Sequence, residues 1–236
     1  LTSIDHNAFT FVPPPTILPV SERAATISVT YTGFSTEAQT AFQYAVDIWE
    51  TLLNSNQTIT IIATWAPADN ANNLGSAGPS EWAKDFSGAP FADTWYPAAL
   101  AESICNCSLG GNPEIDANFN SNRTDWYFGT DGNTPAGEFD FASVVLHEIG
   151  HGLGFAGTGS VDGAGIGSLN VPPTVYDLFV ENLGVNVTGY TNPSVILGNV
   201  LQGSGNLVWN GTNAVAGNGG QKPEIFDPAA WNGGSS

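Results

Sequence analysis

The chain has 236 residues, of which 42% are hydrophobic, including seven Trp and thirteen Phe. A chain of this length and composition can bury a full hydrophobic core, which excludes an intrinsically disordered segment. Four Lys and Arg face 22 Asp and Glu, for a formal net charge of -18. Without a basic stripe, nucleic acid and anionic membranes are excluded as expected partners.

The first predicted elements form a strand, a helix and a second strand. Residues 1–24 are rich in proline and predict an extended leader. Residues 26–31 alternate between polar and apolar side chains and are rich in β-branched residues, which indicates a strand. Ser35 or Thr36 can cap a helix that runs to about Leu53, and residues 58–65 predict a strand inside a sheet. The apolar stripe expected to pack that helix on the core comprises Phe42, Ala45, Val46, Trp49, Leu52 and Leu53.

The middle of the chain leads to one long apolar helix. Residues 66–111 predict a loop-rich stretch with a short helix at about 97–104. Residues 114–120 alternate as a strand near a sheet edge, where an extended peptide substrate can pair. Residues 140–154 have a polar start, helical periodicity and glycines at the end, which predict a helix.

The remaining chain predicts helices at residues 174–182 and 193–202 and short strands near 206–211. No internal repeat and no second hydrophobic core are evident, so we expect one domain with a cleft. Its upper part would span residues 25–154 and end in the long helix. Its lower part, rich in helices and loops, would span residues 155–236 and be incomplete at its C-terminus.

Modification and export leave few signals. No stretch approaches the roughly 20 apolar residues of a membrane span, and the N-terminus lacks the features of a signal peptide, so an exported form would already have lost its signal. Cys105 and Cys107, the two cysteines, are compatible with a local disulfide, with two free thiols, or with disulfides to cysteines outside this sequence. The sequons that permit glycosylation are at Asn56, Asn106, Asn122, Asn186 and Asn210.

His147, Glu148 and His151 carry the chemistry predicted for this chain. Residues four apart share a helix face, so His147 and His151 can present imidazole nitrogens to one Zn²⁺ ion. Glu148 can reach a metal-activated water and take its proton as the water attacks a peptide carbonyl. Such a pattern also arises by coincidence, but two of the three histidines lie here on an otherwise apolar helix, where their burial would be costly without a metal or hydrogen bonds.

The motif continues as HEIGHGLGF, which resembles the metzincin signature HExxHxxG. Gly154 stands at the glycine that allows a sharp turn, but Gly157 stands where most metzincins supply a third ligand. The leishmanolysin-like variant, with HExxHxxGF and a distant third histidine, fits better and is matched by Phe155. Further segments such as AFQYAVDIWETLL, GAPFADTWYPAALAE and VYDLFVENLG are similar to a group of secreted bacterial-type proteins, so that the resemblance covers most of residues 40–236.

The resemblance implies a metzincin-like α+β fold, with a twisted mixed sheet and a long active-site helix. It also implies a third histidine ligand and a Met-containing turn soon after the segment that corresponds to residues 231–236. The chain has no Met, so we expect either a cleaved or truncated chain or a lost part of the site. The remaining C-terminal segment of its own precursor is then an expected partner. Substitute ligands to consider are Asp162, Asp177, Glu181 and His6, with a charge at a helix N-terminus and a solvated Glu favoured for Asp177 and Glu181.

Residues 131–140 concentrate oxygen-bearing side chains in a glycine-containing loop, which makes Ca²⁺ a second ion to consider. The carriers are Asp131, Asn133, Glu138 and Asp140. Because Pro135 and Ala136 break the EF-hand pattern, a turn followed by a helix cap is favoured.

The sequence thus predicts a secreted zinc-dependent endopeptidase that hydrolyses peptide or protein substrates. Its metal ligands would be His147 and His151, and its general base Glu148. The alternative is a non-catalytic surface or assembly protein that reuses the metallopeptidase scaffold, as a processed fragment.

Overall fold

The structure is a computed structural model and describes residues 15–111, 113–202 and 206–225. The part of the leader at residues 1–14, His6 and residues 226–236 lie outside the described residues. The helices within these ranges are α1 (Thr36–Leu52), α2 (Ala98–Cys105), α3 (Phe141–Leu153), α4 (Val195–Leu201) and α5 (Thr212–Gly217).

Short strands accompany a few long ones. In chain order, the strands of the described residues are β1 (Ala24–Thr32), β2 (Asn54–Ala66), β3 (Gly75–Pro79), β4 (Trp82–Ala83), β5 (Tyr96–Pro97), β6 (Ile115–Asn120), β7 (Trp126–Tyr127), β8 (Phe139–Asp140), β9 (Ser160–Val161), β10 (Gly167–Ser168), β11 (Val180–Asn182), β12 (Val185–Asn186) and β13 (Leu207–Trp209).

The fold is α+β and is built on a mixed sheet of order β1-β2-β6-β3. β1, β2 and β6 are parallel, and β3 pairs antiparallel with β6. Helix α1 connects β1 to β2 and begins where the Ser35 side chain accepts a hydrogen bond from the Ala38 amide. The strands and helices predicted up to residue 66 are therefore confirmed.

Residues 114–120 form β6, a strand near a sheet edge as predicted, but β6 is not itself the edge at which an extended peptide was expected to pair. β6 lies between β2 and β3, and β3 forms the edge inside the stretch that was predicted as loop. The sequence of β3, GSAGP, has low strand propensity, so its pairing with β6 rather than its own composition makes it a strand. The edge strand that contacts the long helix is thus β3.

The main hydrophobic core lies between this sheet and helices α1 and α3. Phe42 and Val46 from α1, Ile61 from β2, and Phe141 and Ile149 from α3 are at most 1% exposed. Leu52 was expected in the stripe of α1 but is 58% exposed. The remaining stripe residues are buried or partly buried, so the predicted core face of α1 is otherwise confirmed.

The chain after α3 forms a second, smaller hydrophobic cluster, contrary to the expectation of a single core. Its buried members are Leu169, Val180, Val187, Leu197, Val200 and Leu207. The members come from separate short elements: Val180 and Leu207 from β11 and β13, Leu197 and Val200 from α4, and Leu169 and Val187 from the segments that follow β10 and β12. Because these elements are short and separated along the chain, no single periodicity predicts the cluster.

The helix predicted at residues 174–182 is also wrong. A single 3-10 turn spans Asp177–Phe179, and the chain then continues as β11. The prediction for residues 193–202 is confirmed as α4, and that for 206–211 as β13. Tertiary pairing with β13 overrides the helical spacing of the apolar residues in β11.

Cys105 and Cys107 form a disulfide with each other at the end of α2. Of the three alternatives, the structure therefore has the local disulfide. At the start of the described chain, the Leu18 amide donates to Thr51 Oγ1 of α1 over 3.2 Å. None of the described helices is both long and apolar enough for a membrane span.

Candidate functional site

Helix α3 presents the HExxH residues on the side opposite its core face. Phe141, Val145 and Ile149 are fully buried at four-residue spacing, and this anchors the helix to the sheet. Asp140 caps its start by accepting a hydrogen bond from the Ser143 amide over 2.7 Å. Consequently His147 is exposed, while Glu148 and His151 are partly exposed along one face.

The two imidazoles of α3 converge on one point. The Nε2 atoms of His147 and His151 are 3.0 Å apart, and the ring planes are perpendicular with centroids separated by 4.6 Å. The i, i+4 spacing predicts this meeting, and the structure brings the two rings together. Two nitrogen atoms at this separation can both lie at about 2 Å from one ion, which is the length of a zinc–imidazole bond.

Gly154 ends α3 and orients the second imidazole. Its φ is +125°, a region that favours glycine, and the turn lets the Phe155 amide donate to the Gly150 carbonyl over 3.0 Å. The Phe155 carbonyl then lies 2.6 Å from His151 Nδ1. Because a carbonyl can only accept, Nδ1 donates this hydrogen bond, which holds the ring with Nε2 directed toward His147.

Glu148 connects the helix to the edge of the sheet. Its Oε2 accepts a hydrogen bond of 2.8 Å from the backbone amide of Ala77 in β3. It also lines a groove of about 760 Å³ together with His147 and Val144 of α3. The opposite wall is made by residues that lead into β3, among them Asn73 and Leu74. A carboxylate beside the convergent imidazoles therefore lines a groove between α3 and the segment that leads into β3.

Of the substitute ligands considered from sequence, the three that lie within the described residues have other partners. Asp177 is 2% exposed and accepts hydrogen bonds from the amide and hydroxyl of both Thr158 and Thr174. Glu181 contacts the Asn210 amide and the Lys222 ammonium, and Asp162 accepts from two backbone amides of its own turn. Asp177 and Glu181 do not share a helix face, because β11 begins between them. Each of these three carboxylates therefore has hydrogen-bond or ion-pair partners other than the two imidazoles.

The residues present fit a zinc ion in part. Two imidazole nitrogens converge and one of them is oriented by a carbonyl, which is the usual arrangement of a histidine ligand. Within residues 15–111, 113–202 and 206–225, however, no three His, Cys, Asp or Glu side chains group together as a metal site. The described residues by themselves thus offer two convergent imidazoles and no third side chain for a metal site.

The loop at residues 131–140 is organised by hydrogen bonds within the chain. Asp131 accepts from the Tyr127 hydroxyl over 2.6 Å, and this bond lowers the pKa of Asp131 below its ordinary value. Asp140 caps α3 and also accepts from Thr134 over 2.9 Å. The favoured interpretation as a turn with a helix cap is confirmed.

Two groups of the site were missed by sequence reasoning because both are backbone atoms. The Ala77 amide and the Phe155 carbonyl hold Glu148 and His151, respectively. Backbone groups carry no residue-type signal, and the phenylalanine of the motif was matched only by its position. The glycine turn at Gly154 was the one available clue to the second contact.

Comparisons with protein-family models, with curated proteins and with solved structures gave no match. The function is therefore argued from the geometry of the site.

Proposed function

We propose that this chain is the catalytic portion of a secreted, zinc-dependent endopeptidase of the leishmanolysin-like metzincin type. The observation that carries the proposal is the convergence of His147 Nε2 and His151 Nε2 at 3.0 Å, next to the Glu148 carboxylate. The turn at Gly154, which brings the Phe155 carbonyl beneath His151, supports the metzincin-like assignment.

In this proposal His147 and His151 hold the ion, and a third ligand outside the described residues completes the site. Zinc, when bound, polarises the substrate carbonyl as a Lewis acid and promotes ionisation of water. Glu148 accepts the proton of the attacking water, and the Ala77 amide fixes the carboxylate that does so. The edge strand β3 offers backbone groups to which an extended peptide adds as a further strand.

Secretion is supported by two properties of the chain. The disulfide between Cys105 and Cys107 is a bond that persists in oxidising compartments. Basic side chains are scarce, at four in 236 residues, so trypsin-like proteases find few sites. An extracellular peptidase fits both.

The role of Glu148 is tested by substitution. Glu148→Gln keeps the shape and the contact with the Ala77 amide but removes the base, so peptide hydrolysis should fall by about 10²-fold or more while bound zinc is retained. Glu37→Gln, on the exposed start of α1, is the control and should match the wild type. Hydrolysis of a fluorogenic peptide and metal content are measured on the same samples. Unchanged activity of Glu148→Gln would eliminate the assigned base.

The non-catalytic alternative is favoured by one observation, namely that the described residues bring only two metal-ligating side chains together. Zinc titration separates the two functions. The peptidase predicts about one zinc per chain, lost in His151→Ala, because each ligand contributes to affinity. No binding at saturating zinc would reject the peptidase and leave a scaffold protein.

A further inference from the structure

Asn120, at the end of β6, holds the segment that forms one wall of the groove. We call residues 67–74 the wall segment. The Asn120 side chain is 1% exposed, and its Oδ1 accepts from the Ala68 amide over 3.2 Å while its Nδ2 donates to the Asn73 carbonyl over 2.9 Å. Its backbone amide donates to the Leu74 carbonyl over 3.1 Å. One buried amide thus ties both ends of the wall segment to the sheet.

Arg123 holds the middle of the same segment. Its Nη1 donates to the Ala71 carbonyl over 3.0 Å, between the two ends fixed by Asn120. Its guanidinium lies 4.5 Å from the centre of the Phe139 ring, and Phe139 also lines the groove. Asp125 accepts from the remaining nitrogens over 2.9 and 2.5 Å, which keeps the guanidinium in place and lowers the pKa of Asp125.

The wall segment is continuous with the strand that holds the proposed base. It runs directly into β3, in which the Ala77 amide donates to Glu148. A shift of the wall segment therefore changes both the width of the groove and the start of the edge strand. Neither Asn120 nor Arg123 lines the groove itself, so any effect on a bound chain passes through the wall segment.

We propose that Asn120 and Arg123 are positioning residues that set the wall segment for binding of an extended peptide. This inference rests on the proposed peptidase function. When the wall segment is already ordered in the free protein, peptide binding does not have to order it, and the entropy cost of binding is smaller. These two residues therefore act on substrate affinity. The proton transfer at Glu148 is left unchanged.

The test compares two side-chain amide clamps, the buried Asn120 and the partly buried Asn192, in zinc-loaded protein. Asn120→Asp replaces the donor to Asn73 with an oxygen that repels the carbonyl, so KM for a fluorogenic peptide should rise about tenfold, with kcat within about twofold of wild type. Asn192→Asp is the matched control, because Asn192 holds the Leu169 amide and carbonyl in the same way over 3.0 and 2.9 Å, away from the groove. It should leave KM unchanged.

Arg123→Gln provides a second variant in a less buried position, so that failure of Asn120→Asp to fold does not end the test. It should raise KM about threefold, again at nearly constant kcat. Hydrogen exchange of the full chain gives a readout that needs no activity: amides of the wall segment at residues 68–74 should exchange faster in both variants but not in Asn192→Asp.

The possible results distinguish a failure of the positioning role from a failure of the proposed peptidase function. If the wild type cleaves peptide and both groove variants match Asn192→Asp in KM and exchange, the positioning role is overturned and the peptidase stands. A fall in kcat at unchanged KM also overturns it, because the residues would then act on the chemistry. If the wild type neither binds nor cleaves peptide, the proposed function fails, and the positioning role fails with it.

Discussion

Tyr31 is a partly buried residue whose ring packs against the main core. It packs edge-on against Phe34 and Phe42, each with ring centroids 5.3 Å away. Among the described residues, its buried hydroxyl has no hydrogen-bond partner. Burial raises the pKa of Tyr31 well above its ordinary value of 10.0, because the phenolate would lose its hydration.

Tyr31→Phe should therefore keep the ring contacts and remove the cost of an unsatisfied hydroxyl. We expect the free energy of unfolding to be unchanged or to increase by about 1 kcal/mol at pH 7. Because folding raises the pKa of Tyr31, the free energy of unfolding of the wild type has its full value below about pH 10, where the phenol is neutral in both states. It then falls as the pH rises toward the folded pKa, because the unfolded chain ionises first. Urea unfolding at pH 7 and above pH 10 should show a growing advantage of the variant.

Tyr44→Phe, in the partly exposed part of α1, is the control for the loss of a tyrosine hydroxyl at pH 7. A Tyr31→Phe variant that is less stable by more than 1 kcal/mol would mean that the hydroxyl has a partner, and the description of its surroundings would be wrong.

At the scale of elements, the end of α3 fixes the geometry of the site. Gly154 lies against Pro97 of β5, so that a Cβ there would be 3.2 Å from Pro97 Cγ, and its φ of +125° is unfavourable for any L side chain. The same turn places the Phe155 carbonyl beneath His151. The turn that ends α3 therefore also orients the His151 ring.

Gly154→Ala should lower the free energy of unfolding by about 1–3 kcal/mol, through backbone strain and the close approach to Pro97. It should also weaken zinc binding, because the carbonyl that orients His151 moves. Gly163→Ala, in a turn with open space around its Cα and no positive φ, should change stability by less than about 0.5 kcal/mol. Urea unfolding and zinc titration measure the two effects, and equal values for the two variants would contradict this account.

Elements that depend on distant pairing were the ones sequence periodicity could not identify. Residues 174–182 have apolar spacing compatible with a helix, yet β11 forms because β12 and β13 offer hydrogen bonds on both sides. β3 is the stronger case, since a Gly- and Pro-containing segment becomes the edge strand next to Glu148. Helices α1 and α3 were predictable because cap, periodicity and core face agree within each segment.

At the scale of the whole molecule, negative charge is not balanced. The chain has four basic side chains, and each is engaged in an ion pair: Arg23 with Asp47 and Glu50, Lys84 with Asp93, Arg123 with Asp125, and Lys222 with Glu181. The other carboxylates repel one another across the surface.

Salt should therefore stabilise the folded chain. Screening weakens the ion pairs as well as the repulsion, but with a net charge of -18 the repulsion dominates. We expect the thermal midpoint to rise between 10 and 300 mM salt, values chosen to take the Debye length from roughly 30 Å to below 10 Å. NaCl and KCl should act alike if the effect is screening. A falling midpoint would contradict the argument, and a difference between the two salts would indicate specific ion binding.

The sequence by itself determined the local features of this protein: the βαβ start, the long helix and the placement of His147, Glu148 and His151 on one face. These follow from spacing along the chain, because helix geometry fixes which side chains are neighbours. Only the tertiary structure decided which strand forms the edge and that a second hydrophobic cluster exists after α3. It also decided that the Asp177 carboxylate accepts hydrogen bonds from Thr158 and Thr174. It also brought the Ala77 amide to Glu148. Such contacts join residues distant in sequence through backbone groups, and no local pattern of residue types encodes them.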